Sequence, residues 1–98
     1  MNEPNSMSTP LWAATAAKAI QAIRSAGAKQ LVLVPGNGWT GAHSWMQNWP
    51  DTSGSKLSNA QAFDNFSDPA NNWAFEMHQC LDENYSGSGT TCVSASRD

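Results

Sequence analysis

Between Ser8 and Gly27 the apolar residues Trp12, Ala16, Ala19, Ile20 and Ile23 recur at three- and four-residue steps. That spacing stacks them on one face of an α-helix. Ser8 or Thr9 can cap its start, Pro10 suits the first turn, where its missing N–H has no partner to lose, and Gly27 suits the C-terminal stop. The pattern predicts a helix over 10–26. The next apolar stretch is continuous instead of periodic: Leu31 to Val34, closed by Pro35 and Gly36. A short unbroken run predicts a strand buried on both faces, as in a parallel sheet. Residues 36–72 are rich in Gly, Asn, Ser, Asp and Pro, and read as a long loop with one short helix around Asn59 to Phe66. From Trp73 the pattern alternates and predicts a second strand over 73–79. Trp73, Phe75 and Met77 fall on one side of it, and Glu76, His78 and Cys80 on the other. From Asp82 onward the chain is a polar loop, and no internal repeat is visible.

Two parallel strands need a crossover, and the segment between them is long enough for one. An apolar face turned to outer helices, with polar residues near the strand's C-terminal end turned inward, is the arrangement of a (β/α)8 barrel. The expected fold class is therefore α/β, a partial (β/α)8 TIM barrel. Ninety-eight residues make one domain at most. Two strands and one good helix leave two open sheet edges, so residues 1–98 read as a fragment of a larger domain.

Composition narrows the function classes. Charged residues make up 13% and the net charge is −3, without the basic stripe that nucleic acid requires. No run approaches the roughly 18–20 apolar residues of a membrane span, and no segment reads as a signal peptide. Cys80 and Cys92 could form one disulfide or stay free; the count does not decide. With His43 and His78 they are too dispersed for a zinc site, so neither metal nor cofactor is expected.

Four motifs then occur in order: N-E-P at Asn2 to Pro4, a helix ending A-G-A, V-P-G-N-G-W-T-G from Val34, and E-M-H-Q-C-L-D from Glu76. Each alone is weak. Together they resemble the glycoside hydrolase family 5 cellulases, above all the fungal-type endo-β-1,4-glucanases and their bacterial relatives. The resemblance runs over almost the whole chain and is loosest from Asp51 to Asp64. It implies that N-E-P ends the fourth barrel strand and that the chain continues through the sixth strand and the loop after it.

The resemblance also implies chemistry. A retaining glycosidase uses two carboxyl groups about 5–5.5 Å apart, one protonating the leaving oxygen and one attacking the anomeric carbon. Glu3 matches the acid/base glutamate; without the other motifs it would read as an exposed acid near a chain end. Asn2 matches the asparagine that bonds the sugar 2-hydroxyl, and otherwise reads as a turn residue. His78 matches the histidine of an H-x-Y motif beside the catalytic pair, and Cys80 stands where relatives commonly carry the tyrosine. Its thiol is a poorer donor than a phenol, which puts the activity of the parent enzyme in doubt. Trp39 matches a cleft residue after the fifth strand, where an indole face can cover sugar C–H groups. Trp45 and Trp49 read equally as loop packing or sugar contacts, and Trp12 as helix packing. Glu76 reads as a buried structural acid whose partner lies in strands outside this chain. The family's nucleophile follows a T-E motif, which does not occur here. Cys92 resembles a cysteine that pairs with one further along.

The expected function is thus endo-acting hydrolysis of β-1,4-glucan by a secreted enzyme, with β-glucan as partner and the nucleophile missing from this chain. The alternatives are a non-catalytic carbohydrate-binding fragment and, more weakly, a phosphate-binding unit around the glycine-rich loop after the first strand. Near a chain end, Glu3 is expected to be poorly tethered. Phe75 and Met77 are expected to lie uncovered and to favour self-association. Asn65-Phe66-Ser67 and Asn84-Tyr85-Ser86 fit the glycosylation sequon.

Overall fold

The computed structural model describes residues 2–81; Met1, Cys92, Asn84 and the polar C-terminal loop lie outside the described residues. In chain order the elements are α1 (Thr9–Ser25), β1 (Val32–Pro35), α2 (Asn59–Ala62) and β2 (Trp73–Glu76). The two strands pair in parallel, with Val32 opposite Trp73, Val34 opposite Phe75 and Pro35 opposite Glu76.

Helix α1 begins and ends on the residues that local chemistry favours. Ser8 is the N-cap and its Oγ accepts the Leu11 N–H. Gly27 takes a left-handed φ of +91°. That turn lets the Ala28 N–H reach back to the Ile23 carbonyl at 3.3 Å, satisfying an end the helix cannot close itself. The buried stripe is Thr9, Ala13, Ala16 and Ile20. Ala19 and Ile23, placed on that face by the apolar pattern, are exposed. The reason lies in the last turn, where Arg24 takes the inward position, its side chain 6% exposed. Trp12 is half-buried and donates its indole N–H to the Pro35 carbonyl at 2.7 Å, tying the first turn of α1 to the end of β1.

The core lies between α1 and one face of the sheet. Ala13, Ala16, Val34 and Phe63 are buried there, with Val32, Phe66, Trp73 and Phe75 packed against them. Phe75 is not the uncovered residue that the alternation suggests. It meets Trp45 at 4.9 Å, Trp73 at 4.8 Å and Phe63 at 5.3 Å between ring centroids, edge-to-face contacts that aromatic quadrupoles favour. The crossover loop supplies that cover. β1, by contrast, is buried on one face only. Leu31 and Leu33 are 56% and 52% exposed, because among the described residues a single layer covers the sheet. The open apolar surface is therefore at Leu31 and Leu33, with Met77 also exposed.

Both expected shorter features contract. α2 is one turn, closed by a capping box between Ser58 and Gln61; it stops at Phe63, whose ring enters the core. β2 stops at Glu76, and pairing resumes as a single bridge between Gly41 and His78. Thr40 causes the interruption. It is fully buried and left-handed, at φ +50°, a conformation that disfavours a β-branched residue. Three bonds hold it there: its hydroxyl accepts the Gly36 N–H at 2.9 Å and donates to the Glu76 carbonyl, and its carbonyl accepts the His78 N–H at 2.9 Å.

A buried ion pair fastens the opposite end of the sheet. Arg24 Nε and Nη2 donate to the two carboxylate oxygens of Asp68 at 2.9 and 2.7 Å. The guanidinium also reaches the carbonyls of Ala28, Gln30 and Asn72. Asp68 further accepts the N–H groups of Ala70 and Asn72.

Gly36, directly after β1, is required by close approach. A Cβ there would lie 2.6 Å from Trp45 Cζ3 and 2.8 Å from Asn59 Cγ. Neither neighbour is free to move: Trp45 packs on Phe63 and Phe75, and buried Asn59 bonds both the N–H and the carbonyl of Asn37 at 2.8 Å. Gly36→Ala is expected to cost about 1–3 kcal/mol by overpacking, read as a lower midpoint in urea denaturation.

Candidate active site

The loops after β1 and β2, together with the N-terminal segment, enclose a cleft of about 410 Å³. Glu3, Trp39 and His78 all line it, with Trp49, His43 and Cys80. Asn2 is exposed and does not line it.

Each side chain is positioned by identifiable bonds. Glu3 is not frayed: Pro4 is fully buried and its carbonyl accepts the Trp39 N–H at 2.8 Å. Asn5 Nδ2 donates to the Glu3 carbonyl at 2.9 Å, and the Glu3 carboxylate lies 3.0 Å from His78 Nδ1. Tertiary contacts override the mobility expected of a chain end. Trp39 sits at φ +58° with half its surface exposed. Left-handed backbone in a large residue is a local strain of about 1–3 kcal/mol; here it turns the indole into the cleft. Trp49 meets it edge-on, ring centroids 6.3 Å apart, and so belongs to the cleft wall. Trp45 packs in the core with Phe63 and Phe75.

His78 stands between two carboxylates. Its Nδ1 is 3.0 Å from Glu3 Oε2 and its Nε2 is 2.8 Å from Glu76 Oε2. The hydrogen bond to Glu3, then that to Glu76, raises its pKa above the usual imidazole value, against an opposing contribution from burial. Among the described residues Glu76 already has a partner. Its side chain is 32% exposed and its partner, His78, lies two residues away. The parity of β2 contained that signal, since Glu76 and His78 share a face. Thr40 was missed entirely, because its role lies in bonds to backbone groups that residue type does not reveal.

Cys80 has a free thiol at the cleft wall. Among the described residues no group of three or more His, Cys, Asp or Glu could hold a metal ion. In the loop after β1 the Gly36 N–H is taken by Thr40, the Asn37 N–H by Asn59 and the Trp39 N–H by Pro4, which weakens the phosphate reading.

The geometry can be set beside known proteins. The family model for cellulase, glycosyl hydrolase family 5, matches residues 1–98. The chain belongs to glycosyl hydrolase family 5. It is 47% identical over 94 residues to Endoglucanase 1 of Robillarda sp. (strain Y-20), covering 96% of this chain and 23% of that protein. It is 42% identical over 95 residues to Endoglucanase gh5-1 of Neurospora crassa, covering 96% and 22%. Among solved structures, XacCel5A in complex with cellopentaose superposes with a TM-score of 0.84 at 51% identity, over 96% of this chain and 28% of that one. The endo-beta-1,4-glucanase Xac0029 of Xanthomonas axonopodis pv. citri gives the same TM-score at 46% identity and the same coverage. This family 5 chain thus spans about a quarter of the length of the proteins it matches.

Proposed function

We propose that this chain carries the acid/base side of an endo-β-1,4-glucanase active site, from the tip of the fourth strand of a (β/α)8 barrel through the sixth. The observation that carries this reading is the Glu3 carboxylate, held by His78 at 3.0 Å in a cleft beside the exposed face of Trp39. In it Glu3 protonates the leaving oxygen, Trp39 covers a sugar face, His78 orients the Glu3 carboxyl group, and a second carboxylate from outside these residues is the nucleophile of a retaining mechanism. Glu76 does not fit as that nucleophile: an imidazole stands between it and Glu3, where both carboxylates would need to face one bond. The substrate is a polymer that cannot cross a membrane, which favours an extracellular enzyme. The aryl walls of the cleft also favour a second reading, in which this chain alone binds glucan without turnover: among the described residues Glu3 is the one carboxylate lining it.

A titration of the chain with cellopentaose, followed by tryptophan fluorescence, tests the reading. Binding is expected, and Trp39→Ala is expected to weaken it about tenfold, the loss of one aromatic contact. Carboxymethylcellulose incubated with the chain is expected to yield no reducing ends. Absence of cellopentaose binding, or binding indifferent to Trp39, contradicts the proposal.

A further inference from the structure

Glu76 has no role in the reaction described above, yet it lies within hydrogen-bond distance of the imidazole that bonds the Glu3 carboxylate. The backbone holds this arrangement tightly. Thr40 bonds the Glu76 carbonyl and the His78 N–H together, and the Ala42 N–H donates to the His78 carbonyl at 2.8 Å. With Glu76 clamped at the end of β2 and His78 at the bridge two residues on, their side chains meet at 2.8 Å.

Proton counting gives the arrangement a consequence. A neutral imidazole has one N–H donor and one lone-pair nitrogen. Between two ionised carboxylates, one nitrogen would face an oxygen lone pair to lone pair. The contact at both nitrogens therefore needs one more proton, either on the ring as imidazolium or on one carboxyl group. We propose that Glu76 is a positioning residue acting through His78: by accepting the Nε2–H it directs the additional proton to the hydrogen bond between His78 Nδ1 and Glu3 Oε2, which orients the Glu3 carboxyl group in the cleft. The proton has two places in that bond, on Nδ1 with Glu3 ionised or on Oε2 with the ring neutral. Moving it from one to the other changes no net charge in the triad. Glu3 Oε1 takes no part in the bond.

The other titratable groups lining this cleft are His43 and Cys80, and no lysine or arginine of the described residues lines it. Among the described residues, Glu3 and Glu76 are thus the charged groups facing His78. Its pKa is raised in the folded chain, so the bond is fully formed below the ordinary imidazole pKa of about 6.5 and is lost as pH rises through the raised value. The consequence for catalysis rests on Glu3 being the acid/base; the proton arrangement does not.

The test is a pH titration of the imidazole nitrogens by ¹⁵N NMR on the full 98-residue chain, with His43→Gln to assign the signals. In the unsubstituted chain the His78 nitrogens are expected to titrate with a midpoint above that of free imidazole. Glu76→Gln lowers the midpoint, and Glu76→Asp, which keeps the charge, holds it above that of Glu76→Gln. The Ala42 amide signal reports in each variant that the bridge beside β2 is formed. A midpoint unaffected by loss of the charge, or lowered equally by both substitutions, overturns the proposal. Loss of the Ala42 signal in both variants also overturns it, because it makes Glu76 a structural residue. No glucan is present, so failure of cellopentaose binding would leave this result standing.

Discussion

Asp68→Ala is expected to abolish the cooperative thermal transition of this chain. The side chain of Asp68 is fully buried and accepts from Arg24 Nε, Arg24 Nη2, Ala70 N–H and Asn72 N–H. Removing it strands a guanidinium that is itself only 6% exposed. An unpaired buried charge is far costlier than a missing bond, since the desolvation penalty remains after the attraction has gone. The loss also spreads through the fold. Arg24 is the last-turn residue of α1, and its bonds to Ala28, Gln30 and Asn72 set the entries to both strands. With a core that buries only five apolar residues among those described, little else can compensate. Asp68→Asn keeps the shape and is expected to melt between the two. The bonds from Arg24 hold the Asp68 carboxyl well below the usual carboxylate range. Its contribution is accordingly complete above about pH 4, the unfolded value, and is lost as pH falls through the depressed folded value. Circular dichroism melts at pH 7, pH 4 and pH 2 check both points, with little change from pH 7 to pH 4 and the loss setting in below about pH 4. A cooperative melt of Asp68→Ala within a few degrees of the unsubstituted chain would refute the argument.

Much of the frame was legible because it depends on local rules. Ser8, Pro10 and Gly27 bound α1 through capping and backbone preference, and the parallel pairing of β1 with β2 follows from the apolar run at Leu31 to Val34 and the alternation from Trp73. What was not legible depends on tertiary partners. No periodicity could show that Arg24 would turn inward and leave Ile23 outside, since its partner Asp68 is 44 residues away. Nor could alternation reveal that the loop bearing Trp45 and Phe63 would roof Phe75 and move the open apolar surface to Leu31 and Leu33. At the cleft, the resemblance selected Glu3, Trp39 and His78, and these side chains line one space. The left-handed turn at Trp39 and Thr40 that aims them has no signature in residue type, because neither residue favours that conformation. The bond from Glu3 to His78 spans 75 positions, which is why a residue near a chain end looked free and is held.

The second large effect concerns Glu3, in an enzyme of the relatives' length that contains these residues. General acid catalysis is worth about 10²–10⁴ in rate, and its need scales with how poor the leaving group is. A glucose hydroxyl in carboxymethylcellulose must be protonated as it departs; a dinitrophenolate in an aryl β-cellobioside need not be. Glu3→Ala should therefore slow hydrolysis of the polymer by about 10²–10⁴ while sparing the first, bond-breaking step on the aryl substrate. The second step then becomes limiting, because water attacking the covalent glycosyl-enzyme needs the same residue as base. Azide is already an anion and needs no base, so it should restore turnover of the aryl substrate and give a glycosyl azide of retained configuration. The decisive measurement is the pair of rates, polymer against dinitrophenyl cellobioside, for Glu3→Ala with and without azide. A large loss on the polymer, a rapid initial release of dinitrophenol and acceleration by azide are the results expected of an acid/base at Glu3. Equal losses on both substrates, with no response to azide, would contradict that assignment.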